Sequence, residues 1–145
     1  MKKAIILCMC LLLSGAALAI APGNSARSDD GFEAFWQKFK AAVIAGDKET
    51  VIGLSQFPIR MPGKVRNIKD AADLRLRYRE VFSKYTSAAK CFAARDSDSV
   101  PVRQDNPKKV ALFCGDGTGY WIVYDVDLTK AGWKFVRLER FMMKD

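Results

Sequence analysis

The apolar positions of the segment from residue 32 to residue 54 recur every three or four residues, which is the period of an α-helix. The positions that share this spacing are Phe32, Phe35, Trp36, Phe39 and Val43. We therefore predict a helix that begins at Phe32 and buries an aromatic face. Gly46-Asp47 ends it and starts a shorter second helix, which stops before Pro58 because the residue preceding a proline is pushed out of the helical region.

A further helical pattern runs from residue 68 to residue 85. Its apolar face is formed by Ala71, Leu74, Tyr78, Val81, Phe82 and Tyr85. Asp73 and Arg77 are four residues apart, the spacing of a helical ion pair. The segment 58–63, between the two helical regions, is predicted as a loop or a short extended piece.

After residue 86 the pattern changes to short β-rich segments separated by turns. The predicted strands are 87–95, 100–103, 110–115, 120–127 and 132–142. Helices followed by a strand meander indicate an α+β fold with the N-terminal helices packed on one face of a curved antiparallel sheet. Alternation along the last strand places Trp133, Phe135 and Phe141 on one face, and Val136, Leu138 and Met142 on the other. Two apolar faces leave one available to a partner.

The stretch "FCGDGTGYW", residues 113–121, has glycine at every second position and is open to three interpretations. A phosphate-binding loop would lead into a helix and carry a lysine with serine or threonine. An aspartic protease would need Asp-Thr-Gly or Asp-Ser-Gly, whereas Gly117 follows Asp116. Strand-like segments flank the stretch on both sides, so we predict a tight β-hairpin turn.

The N-terminus has the order of a secretory signal peptide: Lys2-Lys3, an apolar run, then a small-residue cleavage site. We predict a signal peptide over 1–19 with cleavage after Ala19, a flexible leader over 20–30 and a single domain over 31–145. An uncleaved membrane anchor is the alternative. Export implies a periplasmic or secreted protein, and cleavage leaves only Cys91 and Cys114 of the four cysteines. We predict a disulfide between these two because exported proteins reside where disulfides persist.

Charge and residue content exclude several function classes. The formal charge is +8, or +6 without Lys2 and Lys3, and it is spread along the chain, so no nucleic-acid partner is predicted. The chain has no histidine, which excludes Ser-His and Cys-His nucleophiles and the common His-containing zinc sites. We predict no metal and no cofactor. The acid–base candidates that remain are Asp73, Tyr78, Tyr120, Tyr124 and Asp125.

The segment "FEAFWQKFKAAVIAGDKETVIGLSQFPI", residues 32–59, resembles the first helical pair of the nuclear transport factor 2-like superfamily. The segment 68–85 is similar to its third helix, and the strands from 87 to 142 to its curved sheet. The chain thus resembles an exported bacterial member of this superfamily, which includes ketosteroid isomerase-like and SnoaL-like proteins. The resemblance implies a cone-shaped fold around a pocket, often dimeric through the outer face of the sheet, and it transfers no activity.

These observations support three hypotheses about function. The first is a non-catalytic exported domain that binds a small apolar molecule through Trp36, Phe39, Tyr78 and Trp121, although these aromatics could equally be the core. The second is a module that binds a protein partner, including a homodimer through the outer sheet face. The third is a pocket enzyme, isomerase- or dehydratase-like, that uses a Tyr/Asp pair such as Tyr78 with Asp73 and needs a carboxyl of raised pKa.

Overall fold

The computed structural model describes residues 31–94, 102–103 and 105–142. The predicted signal peptide, its cleavage after Ala19 and the leader to residue 30 lie outside the described residues. So do part of the predicted strand 100–103 and the last three residues. Among the helices that are described, none is long and apolar enough to cross a membrane.

The described residues form four helices and five strands. They are α1 (Phe32–Ala45), α2 (Lys48–Gly53), β1 (Ser55–Arg60), α3 (Ala71–Phe82), α4 (Ala88–Ala93), β2 (Val102–Arg103), β3 (Lys109–Gly115), β4 (Tyr120–Thr129) and β5 (Gly132–Met142). The strands form one sheet in the order β1-β5-β4-β3-β2. Helices and sheet enclose a common hydrophobic core, so the predicted α+β class is confirmed.

The first strand corrects two predictions. Residues Ser55–Arg60 form β1, which replaces the predicted end of the second helix and agrees with the short extended piece that was one of the two predictions from residue 58, and β1 pairs in parallel with β5. The sheet is therefore mixed and not fully antiparallel. A strand that contains Pro58 gives a weak local signal, and its partner lies some eighty residues further along the chain, so only tertiary pairing defines it.

The segment predicted as a strand over 87–95 is instead the helix α4. The Ser87 side chain accepts a hydrogen bond from the Lys90 backbone amide and caps the helix. Ala88 and Phe92 are one helical turn apart and both are buried, and the ring centroid of Phe92 lies 5.2 Å from that of Trp36 on α1. A capping serine and alanine-rich composition outweigh the strand-like pattern here.

The third helix is shorter at both ends than the predicted 68–85. Asp70 caps it by accepting a hydrogen bond from the Asp73 amide, so the helix begins at Ala71. Ile68 lies before the cap and forms a β-bridge with Ile59. The predicted ion pair between Asp73 and Arg77 is present at 3.4 Å.

A disulfide joins Cys91 to Cys114, with the two Cα atoms 6.0 Å apart. Cys114 lies on β3 as predicted, but Cys91 lies on α4 and not on a neighbouring strand. The bond therefore fastens a helix to the sheet.

A β-bulge in β5 reverses the predicted faces of its last residues. Asp125 pairs with Arg137 and Val126 with Phe135, which leaves Val136 without a partner on β4. Leu138 consequently shares the core face with Phe135, whereas Phe141 faces outward. Alternation alone predicted the opposite, because it assumes that no residue is inserted.

The hairpin predicted at residues 113–121 is confirmed and is organised by Asp116. One Asp116 oxygen accepts hydrogen bonds from the amides of Thr118 and Tyr120 and from the Thr118 hydroxyl. The other accepts from Arg140, whose guanidinium lies 3.8 Å from the Tyr120 ring centroid. Burial raises the Asp116 pKa, but hydrogen bonds from Thr118, Arg140 and Tyr120 outweigh it and lower the pKa to about 2.

We expect Asp116→Asn to lower the urea midpoint of unfolding at neutral pH and to lose this effect in acid. The folded-state pKa lies below the unfolded value, so the stabilisation is complete above pH about 4 and disappears as the pH falls toward about 2. Urea titrations of both proteins between these limits measure it. Asp105→Asn, in an exposed turn, is the control. A midpoint difference that persists unchanged in acid would contradict the assignment.

Candidate functional site

The interior between the helices and the inner face of the sheet is occupied by aromatic side chains. Five of them, each no more than 2% exposed, contact one another with ring centroids 5.4–6.2 Å apart: Phe39, Phe82, Phe92, Tyr124 and Phe135. These rings come from α1, α3, α4, β4 and β5. They occupy the space between the helices and the inner face of the sheet.

The structure brings together three of the four aromatics predicted to bind an apolar ligand. Trp36, Phe39 and Tyr78 are buried in the core cluster. Trp121 is half-buried and lies on the opposite face of the sheet, since its neighbour Ile122 faces the core. The four residues therefore do not line one pocket.

Tyr78 and Tyr124 place two hydroxyl groups in the interior. Neither hydroxyl has a hydrogen-bond partner within the part of the chain that the structure describes. Burial raises the pKa of Tyr78 to about 12 and also raises that of Tyr124. Both phenols remain protonated at neutral pH, and the described contacts pair neither with a carboxylate.

Asp73, the carboxylate proposed to pair with Tyr78, is instead held at the start of α3. It accepts hydrogen bonds from the Lys69 amide at 3.1 Å and from Arg66 at 3.2 Å, and it contacts Arg77. The Lys69 hydrogen bond, with the two arginine charges, lowers the Asp73 pKa against the effect of burial. A general acid or base in an apolar pocket needs the opposite shift, so these contacts favour a structural role for Asp73.

The outer face of the sheet carries a second aromatic group, which we call the outer aromatic cluster: Phe113, Trp121 and Phe141. The Trp121 and Phe141 rings each meet the Phe113 ring edge to face, with centroids 5.9 and 6.3 Å away. Phe141 is 43% exposed. The cluster covers the end of the sheet next to the Asp116 turn, where Trp121 pairs with Gly115 and Phe141.

A polar cavity of about 260 Å³, which we call the outer cavity, lies on the same face at the opposite end. Its polar lining comes from Gln56, Arg60, Lys109, Asp125, Asp127 and Arg137. Phe57, Pro58 and Val136 add apolar surface. Lys109 pairs with Asp127 at 2.8 Å, and Arg137 pairs with Asp125 at 2.7 Å.

Asp125 is the most unusual group in this cavity. The residue is only 4% exposed, and its Oδ2 accepts a hydrogen bond from Arg137 Nε. Its Oδ1 is buried and makes no hydrogen bond to any described residue. Burial raises the Asp125 pKa, and the bond from Arg137 opposes this only in part. Asp125 and Tyr124 are adjacent in sequence and thus face opposite sides of the sheet, so they cannot form a Tyr/Asp pair.

In the described ranges, no group of three or more His, Cys, Asp or Glu side chains is arranged so that it could hold a metal ion. This statement covers residues 31–94, 102–103 and 105–142 only.

No protein-family model and no curated protein matches the sequence. The fold is similar to that of ketosteroid isomerase-like proteins. One from Erwinia carotovora atroseptica aligns over 78% of this chain and 94% of its own, at 15% identity and a TM-score of 0.44. The Δ5-3-ketosteroid isomerase of Mycobacterium sp. aligns over 77% and 92%, at 17% identity and 0.45. An NTF2-like protein with a cystatin-like fold from Novosphingobium aromaticivorans aligns over 78% of this chain and 80% of its own, at 15% identity and a TM-score of 0.40.

The names of these structures, ketosteroid isomerase-like, ketosteroid isomerase and NTF2-like, are names used within the superfamily that the sequence resembles. At identities this low, a similar arrangement of helices and strands transfers no activity. The outer cavity and the outer aromatic cluster are defined by this chain's own contacts. In the sequence, Asp125 is only one of several titratable residues. Its pairing with Arg137 depends on the bulge at Val136, which the sequence does not reveal.

Proposed function

We propose that this protein is an exported, non-catalytic binding module that associates with a protein partner through the outer face of its sheet. The observation that carries the proposal is the outer aromatic cluster, an apolar surface on the face away from the helices, with Phe141 substantially exposed. Aromatic side chains with this exposure are enriched at protein interfaces, because they bury a large area at little cost in conformational entropy.

The interior of the cone supports a binding role less well. Five contacting rings occupy it, and neither tyrosine hydroxyl there is hydrogen-bonded to a carboxylate of the described residues. A small apolar ligand bound among these rings would have to displace some of them. The outer face has no such competing occupant among the described residues.

The partner that fits this face most simply is a second copy of the chain. A two-fold interface requires a patch that complements itself, and an aromatic cluster can pack against its own copy. The outer face also carries charges of both signs, such as Arg60 and Glu139, so two copies in opposite orientation can bring unlike charges together. Single-sign surfaces would repel each other.

Export is part of the same proposal. The disulfide between Cys91 and Cys114 supports it, since disulfides persist in the periplasm and outside the cell but not in a reducing cytosol. The signal-like order of residues 1–19 is the sequence feature that agrees with it.

Light scattering after size-exclusion chromatography tests the association. We expect a dimer at high micromolar concentration and a monomer for Phe141→Asp, because the variant buries a carboxylate in the middle of an apolar contact. Leu76→Asp is the matched control: Leu76 is a highly exposed apolar residue on α3, away from the sheet's outer face. This control should stay dimeric.

Trp121 provides a second measurement. Trp36 and Trp133 are buried, so acrylamide quenching of tryptophan fluorescence reports mainly on Trp121, which dimerisation should protect. A wild-type protein that stays monomeric and equally quenched across the concentration range would contradict self-association.

A further inference from the structure

The outer cavity contains one acceptor and one cation for which the described residues provide no partner. Asp125 Oδ1 is buried and receives no hydrogen bond from residues 31–94, 102–103 or 105–142, and a buried acceptor in this state costs free energy until a donor reaches it. Arg60 lines the cavity with an exposed side chain and makes no ion pair within the described ranges. The other two basic groups are already engaged, Lys109 by Asp127 and Arg137 by Asp125 and Glu139.

The register of the strands places these two groups a short distance apart. Arg60 on β1 pairs with Arg137 on β5, and Arg137 pairs with Asp125 on β4. With strands about 4.8 Å apart, the Cα atoms of Arg60 and Asp125 are roughly 10 Å from each other. Both residues line the outer cavity, so one small molecule bound there lies beside both.

We propose that the outer cavity binds a small zwitterion, a free α-amino acid. Its ammonium group donates to Asp125 Oδ1 and its carboxylate pairs with the Arg60 guanidinium. The volume, about 260 Å³, lies just below the range of drug-sized pockets, which suits a molecule of this size. Phe57, Pro58 and Val136 provide apolar contacts for an aliphatic side chain. The residues that line this site differ from those of the outer aromatic cluster, and all of them come from one chain.

L-valine and its two truncated forms are the probes that test this inference. Isovalerate is valine without the ammonium group, and isobutylamine is valine without the carboxylate. In calorimetric titrations of the exported protein we expect saturable binding of L-valine in the millimolar range or tighter. Each truncated probe should bind at least about tenfold more weakly, because it lacks one of the two ion pairs. Equal affinity for valine and isovalerate would overturn the zwitterion assignment.

Variants then locate the site. Asp125→Asn and Arg60→Gln should each weaken valine binding about tenfold, and Arg60→Lys should restore part of it because the charge remains. Lys38→Gln, an exposed lysine on α1 on the helical side of the sheet, is the control and should bind like the wild type. Arg60 is exposed, so substitutions at this position should not disturb folding.

Trp121→Ala separates the two proposals. This variant disrupts the outer aromatic cluster and should bind valine normally, since Trp121 lines neither the outer cavity nor the adjoining space that Arg60 shares with Phe141. Absence of saturable valine binding to the wild type, or binding that neither Arg60→Gln nor Asp125→Asn weakens, would overturn the inference.

Discussion

Phe39→Ala is expected to lower the free energy of unfolding by about 3–5 kcal/mol. Phe39 is fully buried, stacks on Phe35 with centroids 5.5 Å apart, and contacts the rings of Phe82, Phe92 and Phe135. Removing its ring takes away contacts to three other elements at once and leaves a cavity that the surrounding helices and sheet can only partly close. Urea unfolding followed by circular dichroism measures the loss.

Two other variants serve as controls for Phe39→Ala, because neither removes a buried ring. Ile44→Ala lies on the same helix but is 42% exposed, and it should change stability by no more than about 0.5 kcal/mol. Tyr124→Phe removes a buried hydroxyl that makes no hydrogen bond to a described residue and keeps the ring. We expect no loss of stability from it, since no partner is left unpaired.

The same series tests the earlier hypothesis of an apolar ligand in the cone. If Phe39 lines an open pocket, its truncation enlarges an existing space and costs little. A loss below about 1 kcal/mol would therefore contradict a filled core and return the interior to consideration as a binding site.

The structural elements that the sequence predicts correctly are those with strong local signals. The aromatic spacing from Phe32 to Val43 corresponds to α1, and the alternation on either side of the Asp116 turn corresponds to β3 and β4. Gly117 and Gly119 have the positive φ values that the predicted turn requires. In each case the residues that define the element are within a few positions of one another.

The features that sequence missed depend on contacts between distant segments. β1 forms because residues 55–60 pair with β5, and no property of Phe57-Pro58 alone favours a strand. The six residues of α4 are too short for a reliable period, and they fold as a helix because Ser87 caps them and Phe92 packs between α1 and β4.

The candidate sites show the same contrast between local sequence signals and contacts made by distant segments. The aromatic residues are evident in the sequence, but Trp121, which is predicted to lie with Trp36 and Phe39, is separated from them by the sheet. A single inserted residue, Val136, puts Phe141 on the outer face, opposite Phe135, with which alternation had grouped it. Composition identifies which side chains are available, whereas the bulge decides where they meet.

Breaking the disulfide is expected to lower the free energy of unfolding by about 3 kcal/mol, from the entropy of the 23-residue loop that it closes. That is a large share of the net stability of a domain of this size. The bond joins α4 to β3, and Cys114 is buried in the core cluster, so loss of the bond also frees α4 to separate from the sheet. Urea midpoints with and without a reducing agent measure the effect.

The double variant Cys91→Ala/Cys114→Ala provides the control for this prediction. It should unfold near the midpoint of the reduced wild type, and the reducing agent should then have no further effect, because the core positions keep their small apolar side chains. Thiol titration of the denatured, unreduced protein without residues 1–19 should detect no free thiol, since Cys8 and Cys10 leave with the signal peptide. Two free thiols per chain would show that the protein does not form the bond. That result would also remove the main structural support for an oxidising compartment.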